Sequence, residues 1–173
     1  MLRRLGPADA PAYRALMLRA YADASEAFTS TVSEREALPP TWWEKRVSDA
    51  PDAPELVVGA FEGERLVGAA GLRFETRPRT RHKALLYGLY VDPSVRGRGV
   101  ARALTEAVLA VAREAPETRV VQLRVMETNR RARRLYDSLG FRAFGTEPQA
   151  IRMNDGFVAI VHMWRGAEQL ADD

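Results

Sequence analysis

The sequence predicts an α/β fold built in layers: a mixed, mostly antiparallel central sheet of six to seven strands, with helices on both faces. Three observations carry this. Strand-length apolar runs are separated by stretches with helical spacing. A glycine-rich turn, Arg96-Gly97-Arg98-Gly99, joins one such run to a long helical pattern. The 173 residues are 46% hydrophobic and 28% charged, which suits one globular domain with a sizeable core.

The elements follow in order. Leu2 to Leu5 reads as a short first or edge strand. From Asp9 or Ala10, Tyr13, Leu16, Met17 and Ala20 recur at helical spacing. A looser stretch from Asp23 to Pro40 carries Phe28. Thr41-Trp42-Trp43-Glu44 fits a capping box, so a helix is expected over about Trp42–Ser48, broken by Pro51 and Pro54. Leu56–Phe61 and Leu66–Glu75 read as a hairpin around Glu62-Gly63-Glu64-Arg65. Ala84–Val91 is a further strand, ended by Asp92-Pro93. The helix after the glycine-rich turn runs to about Glu114, with an apolar stripe of Ala101, Leu104, Val108, Val111 and Ala112. In 120–125, Val121, Leu123 and Val125 alternate with Gln122 and Arg124, the pattern of a strand buried on one face. Asn129–Leu139 reads as a helix stopped by Gly140. Phe141–Thr146 and Phe157–Trp164 are expected to form a last hairpin around Glu147–Gly156. Residues 1–165 form one expected domain and 166–173 a polar C-terminal tail.

Composition narrows the chemistry. With no cysteine there is no disulfide, thiolate ligand or cysteine nucleophile, and only His82 and His162 offer imidazole. No zinc or haem site, and no other metal, is expected. No apolar run approaches the roughly 20 residues of a membrane-spanning helix. The first residues lack the apolar core of a secretory signal, so the cytoplasm is the expected compartment and no membrane partner is expected. The formal net charge is +3, and Lys45 and Lys83 are the two lysines among 26 basic residues. That arginine excess permits anionic partners without naming one. The arginine clusters lack interleaved aromatics, so nucleic acid is not expected.

The turn at 96–101 suits phosphate. A helix start leaves N–H groups unpaired and carries partial positive charge, and glycines let the backbone approach a ligand. It is neither a P-loop, since no Gly-Lys-Ser/Thr follows, nor a dinucleotide fingerprint, since Arg102 stands where the third glycine would be. Alone it fits a helix start with a solvated arginine face equally well.

Two motifs together make the chain resemble the GNAT superfamily of N-acetyltransferases. One is the Arg/Gln-x-x-Gly-x-Gly/Ala loop, matched by Arg96, Gly99 and Ala101. The other is the Asn-x-x-Ala-x-x-Leu-Tyr…Gly-Phe helix, matched by Asn129, Ala132, Leu135, Tyr136, Gly140 and Phe141. The order of elements agrees over about residues 1–165, least specifically in the first forty or so.

The resemblance implies acetyl-coenzyme A as donor and an amine as acceptor. The pyrophosphate is then expected on the N–H groups of Arg96, Gly97, Arg98, Gly99, Val100 and Ala101, with Arg102 adding charge. The pantetheine arm is expected beside Leu89 and Val91, in a gap between strands 84–91 and 120–125, with an oxyanion donor near Tyr90 or Val91. Asn129 is expected to hydrogen-bond the arm, and equally to cap its helix. Tyr136 is expected to be the general acid for the departing thiolate, against the plainer role of a core aromatic. Arg130, Arg131, Arg133 and Arg134 are alternative contacts for the coenzyme A 3′-phosphate. The general base is left open among Glu26, Glu75, Glu127 and water. Phe28, Trp42, Trp43 and 147–156 are expected to wall the acceptor, although packing alone also explains the tryptophans. Without cysteine, direct attack in a ternary complex is expected. A small-molecule primary amine is the expected acceptor, the alternatives being a protein or peptide N-terminus or a non-catalytic acetyl-coenzyme A sensor. Dimers are common in the superfamily, so a homodimer is a further expectation.

Overall fold

The computed structural model describes residues 1–154 and 156–168. Its elements are β1 (Leu2–Arg4), α1 (Ala10–Asp23), α2 (Val32–Glu36), α3 (Pro40–Arg46), β2 (Glu55–Glu62), β3 (Arg65–Phe74), β4 (Lys83–Val91), α4 (Val100–Glu114), β5 (Val120–Met126), α5 (Arg130–Ser138), β6 (Arg142–Met153) and β7 (Gly156–Gly166). The strands form one seven-stranded sheet in the order β1-β2-β3-β4-β5-β7-β6. Every pairing is antiparallel except β4 with β5. The α/β class and the mixed, mostly antiparallel sheet are as expected.

Strand alternation divides the core in two. In β2, Leu56, Val58 and Ala60 face the side occupied by α4 and α5, whereas Val57 faces α1 and α3. Leu104, Val108, Leu109 and Ala112 bury the inner stripe of α4 against β2–β4. On the opposite face Tyr13, Leu16, Met17 and Ala20 of α1 meet Trp43, Val47 and Ala69. Leu104 is fully buried among branched neighbours, so Leu104→Ala is expected to destabilise the fold by about 2–5 kcal/mol, read as a lower urea midpoint.

The structure departs from the predicted elements in four places. First, the stretch taken as loose contains α2, capped by Thr31: its Oγ1 accepts from the Glu34 N–H (3.3 Å), and Glu34 accepts from the Thr31 N–H (2.7 Å). Five residues with no apolar stripe carry no periodic signal. Second, the capping box expected at Thr41 and Glu44 does not form. Instead α3 begins at Pro40, without a side-chain cap, because proline's fixed φ suits a first helical position. Third, the loop expected at 147–156 is mostly strand. Glu147 pairs with Ile160 and Ile151 with Val158, so β6 carries two extra residues in a bulge around Gln149, at φ 52°. Pro148 and the polar composition made this bulge read as a loop. Fourth, β7 runs to Gly166 and Ala167 is buried, so the expected tail starts no earlier than Glu168. Its residues 169–173 lie outside the described residues.

Candidate active site

β4 and β5 are hydrogen-bonded only over Lys83–Leu85 and Val120–Gln122. Beyond that point they part. The cause lies in β4: its pairing with β3 shifts register between Ala69 and Gly71, and Gly88 sits at φ +64°, a conformation open to glycine. The outer half of β4, ending in Leu89, Tyr90 and Val91, therefore turns an unpaired backbone edge toward the gap. β5 meanwhile continues in register with β7 as far as Met126.

The gap opens into a cleft of about 620 Å³. Leu89 and Val91 form one wall, the turn from Arg96 through Val100 and Ala101 a second, and Asn129, Ala132 and Leu135 a third. The 3-10 turn Ser25–Ala27, with Phe28, closes its far side. Gly97 and Gly99 lie at φ +83° and +78°, and nothing lies within 4 Å of where a Cβ would stand on either. Gly97, Gly99, Val100 and Ala101, whose N–H groups stand at the start of α4, line the cleft. This is the arrangement of a phosphate cradle.

The arginines are sorted by the tertiary structure. Arg96 folds back on the strand: its Nε donates to the Val91 carbonyl at 2.9 Å, and its guanidinium stands 5.7 Å from the Tyr90 ring centre. Arg102 donates to Ser138 Oγ of α5 at 2.7 Å and pairs with Glu106 of α4 at 3.3 Å. The expectation for Arg98 concerns its backbone N–H group, and its guanidinium takes no part in the cleft lining. Its side chain leaves the cleft and pairs with Glu62 at 3.1 Å, because its place in the turn points it toward the β2–β3 hairpin. Of the four arginines on α5, Arg130 and Arg131 line the cleft, while Arg133 and Arg134 do not.

Asn129 both caps and lines. Its Oδ1 accepts from the Ala132 N–H at 3.1 Å, and the residue borders the cleft. Tyr136 stands seven residues on, the same side of the helix but about 10 Å deeper along its axis. It is 6% exposed and packed edge-on against Phe141 at 5.7 Å. It therefore does not form part of the cleft wall, which Ala132 and Leu135 supply in α5. Burial pushes the Tyr136 phenol well above its ordinary pKa, so it keeps its proton at physiological pH.

A second, smaller cavity of about 200 Å³ lies on the other side of the gap, lined by Phe28, Leu86, Tyr87, Val125, Ile151 and Ile160 among others. Phe28 and Ala27 border both spaces. Of the residues expected to wall an acceptor, Phe28 and Ile151 border this cavity and the tryptophans do not. Trp43 is buried edge-on against Tyr13 (5.9 Å), and the Trp42 ring carries the Arg46 guanidinium at 4.1 Å, so both serve packing. Periodicity could not find Tyr87, Ile160 or the 25–27 turn, since they reach the gap through strand crossing rather than spacing. Glu26 lines the large cleft, Glu75 lies in a neighbouring groove, and Glu127 lines neither space beside the gap.

The sequence profile described as the acetyltransferase (GNAT) family matches residues 17–141. The chain belongs to the GNAT family. Its matched span holds the cleft turn, both strands of the gap and all of α5. A mycothiol acetyltransferase from Salinispora tropica is 32% identical over 134 residues, covering 78% of this GNAT chain, which itself spans only 41% of that relative. The L-amino acid N-acetyltransferase AaaT of Escherichia coli is 29% identical over 123 residues, 71% of this chain and 74% of the relative. Among solved structures, yncA from Salmonella typhimurium, determined with its cofactor acetyl-CoA, superposes with a TM-score of 0.79 at 20% identity, over 100% of this chain and 96% of that one. The GNAT fold and this cleft fit acetyl-coenzyme A: the open glycine turn suits a pyrophosphate, and the free edge of β4 suits an amide-bearing arm.

Proposed function

We propose that this chain transfers the acetyl group of acetyl-coenzyme A directly to a primary amine of a small molecule. The observation that carries this is the parting of β4 and β5. It joins a cleft shaped for a long phosphorylated donor to a second cavity on the opposite side. AaaT, an L-amino acid N-acetyltransferase, supports a small acceptor.

The N–H groups from Arg96 to Ala101 hold the pyrophosphate at the start of α4. Arg102, Arg130 and Arg131 rim the same cleft, and we assign the 3′-phosphate to the α5 pair. The edge of β4 at Leu89 and Val91 hydrogen-bonds the pantetheine arm, with Asn129 opposite. A β4 N–H near Tyr90 or Val91 donates to the thioester oxygen as it gains negative charge. The amine nitrogen bonds to the carbonyl carbon and the carbon–sulfur bond breaks; for Tyr136 to give the sulfur a proton or hydrogen bond, the thiol end of the arm must reach past the Ala132–Leu135 wall that stands in front of it. With no cysteine, the acetyl group does not pause on a thiol of the chain. Among the described residues the cavity of about 200 Å³ has no carboxylate in its lining, so we assign the amine's proton to water there.

Two measurements test this. Acetyl-coenzyme A at about 100 times its dissociation constant is expected to stabilise the fold by about 2.7 kcal/mol, seen as a raised melting temperature. A panel of small amines and peptides, followed by free thiol release, is expected to give turnover with small amines. Stabilisation without release on any acceptor would favour a sensor, and release confined to peptides would move the acceptor to a polypeptide N-terminus.

A further inference from the structure

Helices α1 and α3 pack on β2, β3 and β4, and their buried cluster includes no residue of β5, β6 or β7. Among the described residues the helices α1 and α3 therefore leave the face of the sheet opposite α4 and α5 bare over those strands, with the Ser25–Ala27 turn reaching β5. A groove of about 220 Å³ runs across it, bordered by Arg73, Glu75, Lys83, Arg124, Phe144 and His162. It adjoins the acceptor-side cavity: Leu85 and Arg124 border both.

Arg124 is the residue at that junction. Val121, Leu123 and Val125 turn into the core with α4, so strand alternation puts Arg124 on the bare face, paired in register with His162 of β7. Its guanidinium forms no ion pair or side-chain hydrogen bond among the described residues, and neither do Arg73 and Lys83 beside it. The acids facing this groove are fewer. Glu75 lines it, and Glu147 is engaged by His162 at 3.2 Å. Phe144, 55% exposed and tilted over His162 at 5.9 Å, adds an apolar surface. An unpaired guanidinium with two further cations, at the mouth of a cavity that receives an amine, is complementary to an anion on the same molecule.

We propose that Arg124 is a specificity-determining residue that grips a carboxylate on the amine acceptor, with the groove holding the acidic end of that small molecule. The proposal rests on the acetyltransferase function above. It identifies the acceptor class as amines that also carry a carboxylate.

The test compares the wild-type chain with Arg124→Met and Arg124→Glu on matched acceptors: L-phenylalanine against phenethylamine, and L-methionine against its decarboxylated amine. Thiol release gives kcat/KM for each. The wild type is expected to prefer the carboxylate-bearing partner at least about tenfold. Arg124→Met is expected to lose about 10- to 100-fold on the acids and little on the plain amines, and Arg124→Glu to turn the preference toward the diamine cadaverine. The melting shift caused by acetyl-coenzyme A should be the same in all three proteins. Equal use of both partners by the wild type, or an equal loss on both in Arg124→Met, overturns the assignment of Arg124 while leaving the acetyltransferase function standing. No turnover of any amine overturns both.

Discussion

Gly99→Val is expected to abolish acetyl-coenzyme A binding and leave the fold nearly intact. Gly99 lies at φ +78°, where a β-branched residue is strained by about 1–2 kcal/mol. The chain can relieve that strain only by turning the first N–H groups of α4 out of line. The space around the position is empty of protein, with nothing within 4 Å of where the new Cβ would stand, so core packing does not suffer. Gly99 lines the large cleft, where we place the pyrophosphate, so a reshaped turn there disturbs the donor's seat. The melting temperature of the free protein should fall by a few degrees, and the shift produced by acetyl-coenzyme A should vanish. A variant that keeps the full ligand shift would place the donor elsewhere.

The second large effect is on turnover. Tyr136→Phe is expected to lower kcat by about 10²- to 10⁴-fold, the range of a lost general acid, with acetyl-coenzyme A binding preserved. The substitution keeps the ring, and with it the edge contact to Phe141 at 5.7 Å, so the core is not opened. The hydroxyl forms no hydrogen bond among the described residues, so the fold loses no partner. Burial raises the phenol's pKa, which sets the sign of the pH profile: the group stays protonated through the neutral range and imposes no falling limb there. Full turnover in Tyr136→Phe would reduce Tyr136 to a core aromatic.

Much of the donor side was legible from residue types alone. A glycine turn between a strand and a helix advertises itself, because φ above zero and close approach leave few alternatives to glycine. Asn129 likewise carries its signal in place, since a helix N-cap is a local hydrogen bond from the next turn. The arginines were not legible in this way. Arg96, Arg98 and Arg102 lie within seven residues and look alike in sequence, yet one clamps Val91, one leaves for Glu62, and one bridges to Ser138. A long side chain goes where a partner distant in sequence lies. Trp42 and Trp43 failed for the related reason that an aromatic at helical spacing looks the same facing a ligand or facing Tyr13. Arg124 looked like any polar residue on an alternating strand. Its place at a cavity mouth depends on which strands α1 and α3 leave uncovered.

Local pattern was enough for the layers, most of the strands and helices, and the turn and helix N-cap that line the large cleft. These depend on periodicity, backbone conformation and hydrogen bonds a few residues apart. It was not enough for the point where β4 and β5 part, the depth of Tyr136, the choice of arginines that reach the cleft, or the place of Arg124 at the junction of the groove and the smaller cavity. Each of those follows from strand register and packing between residues far apart in the chain, and becomes definite only when the chain is folded.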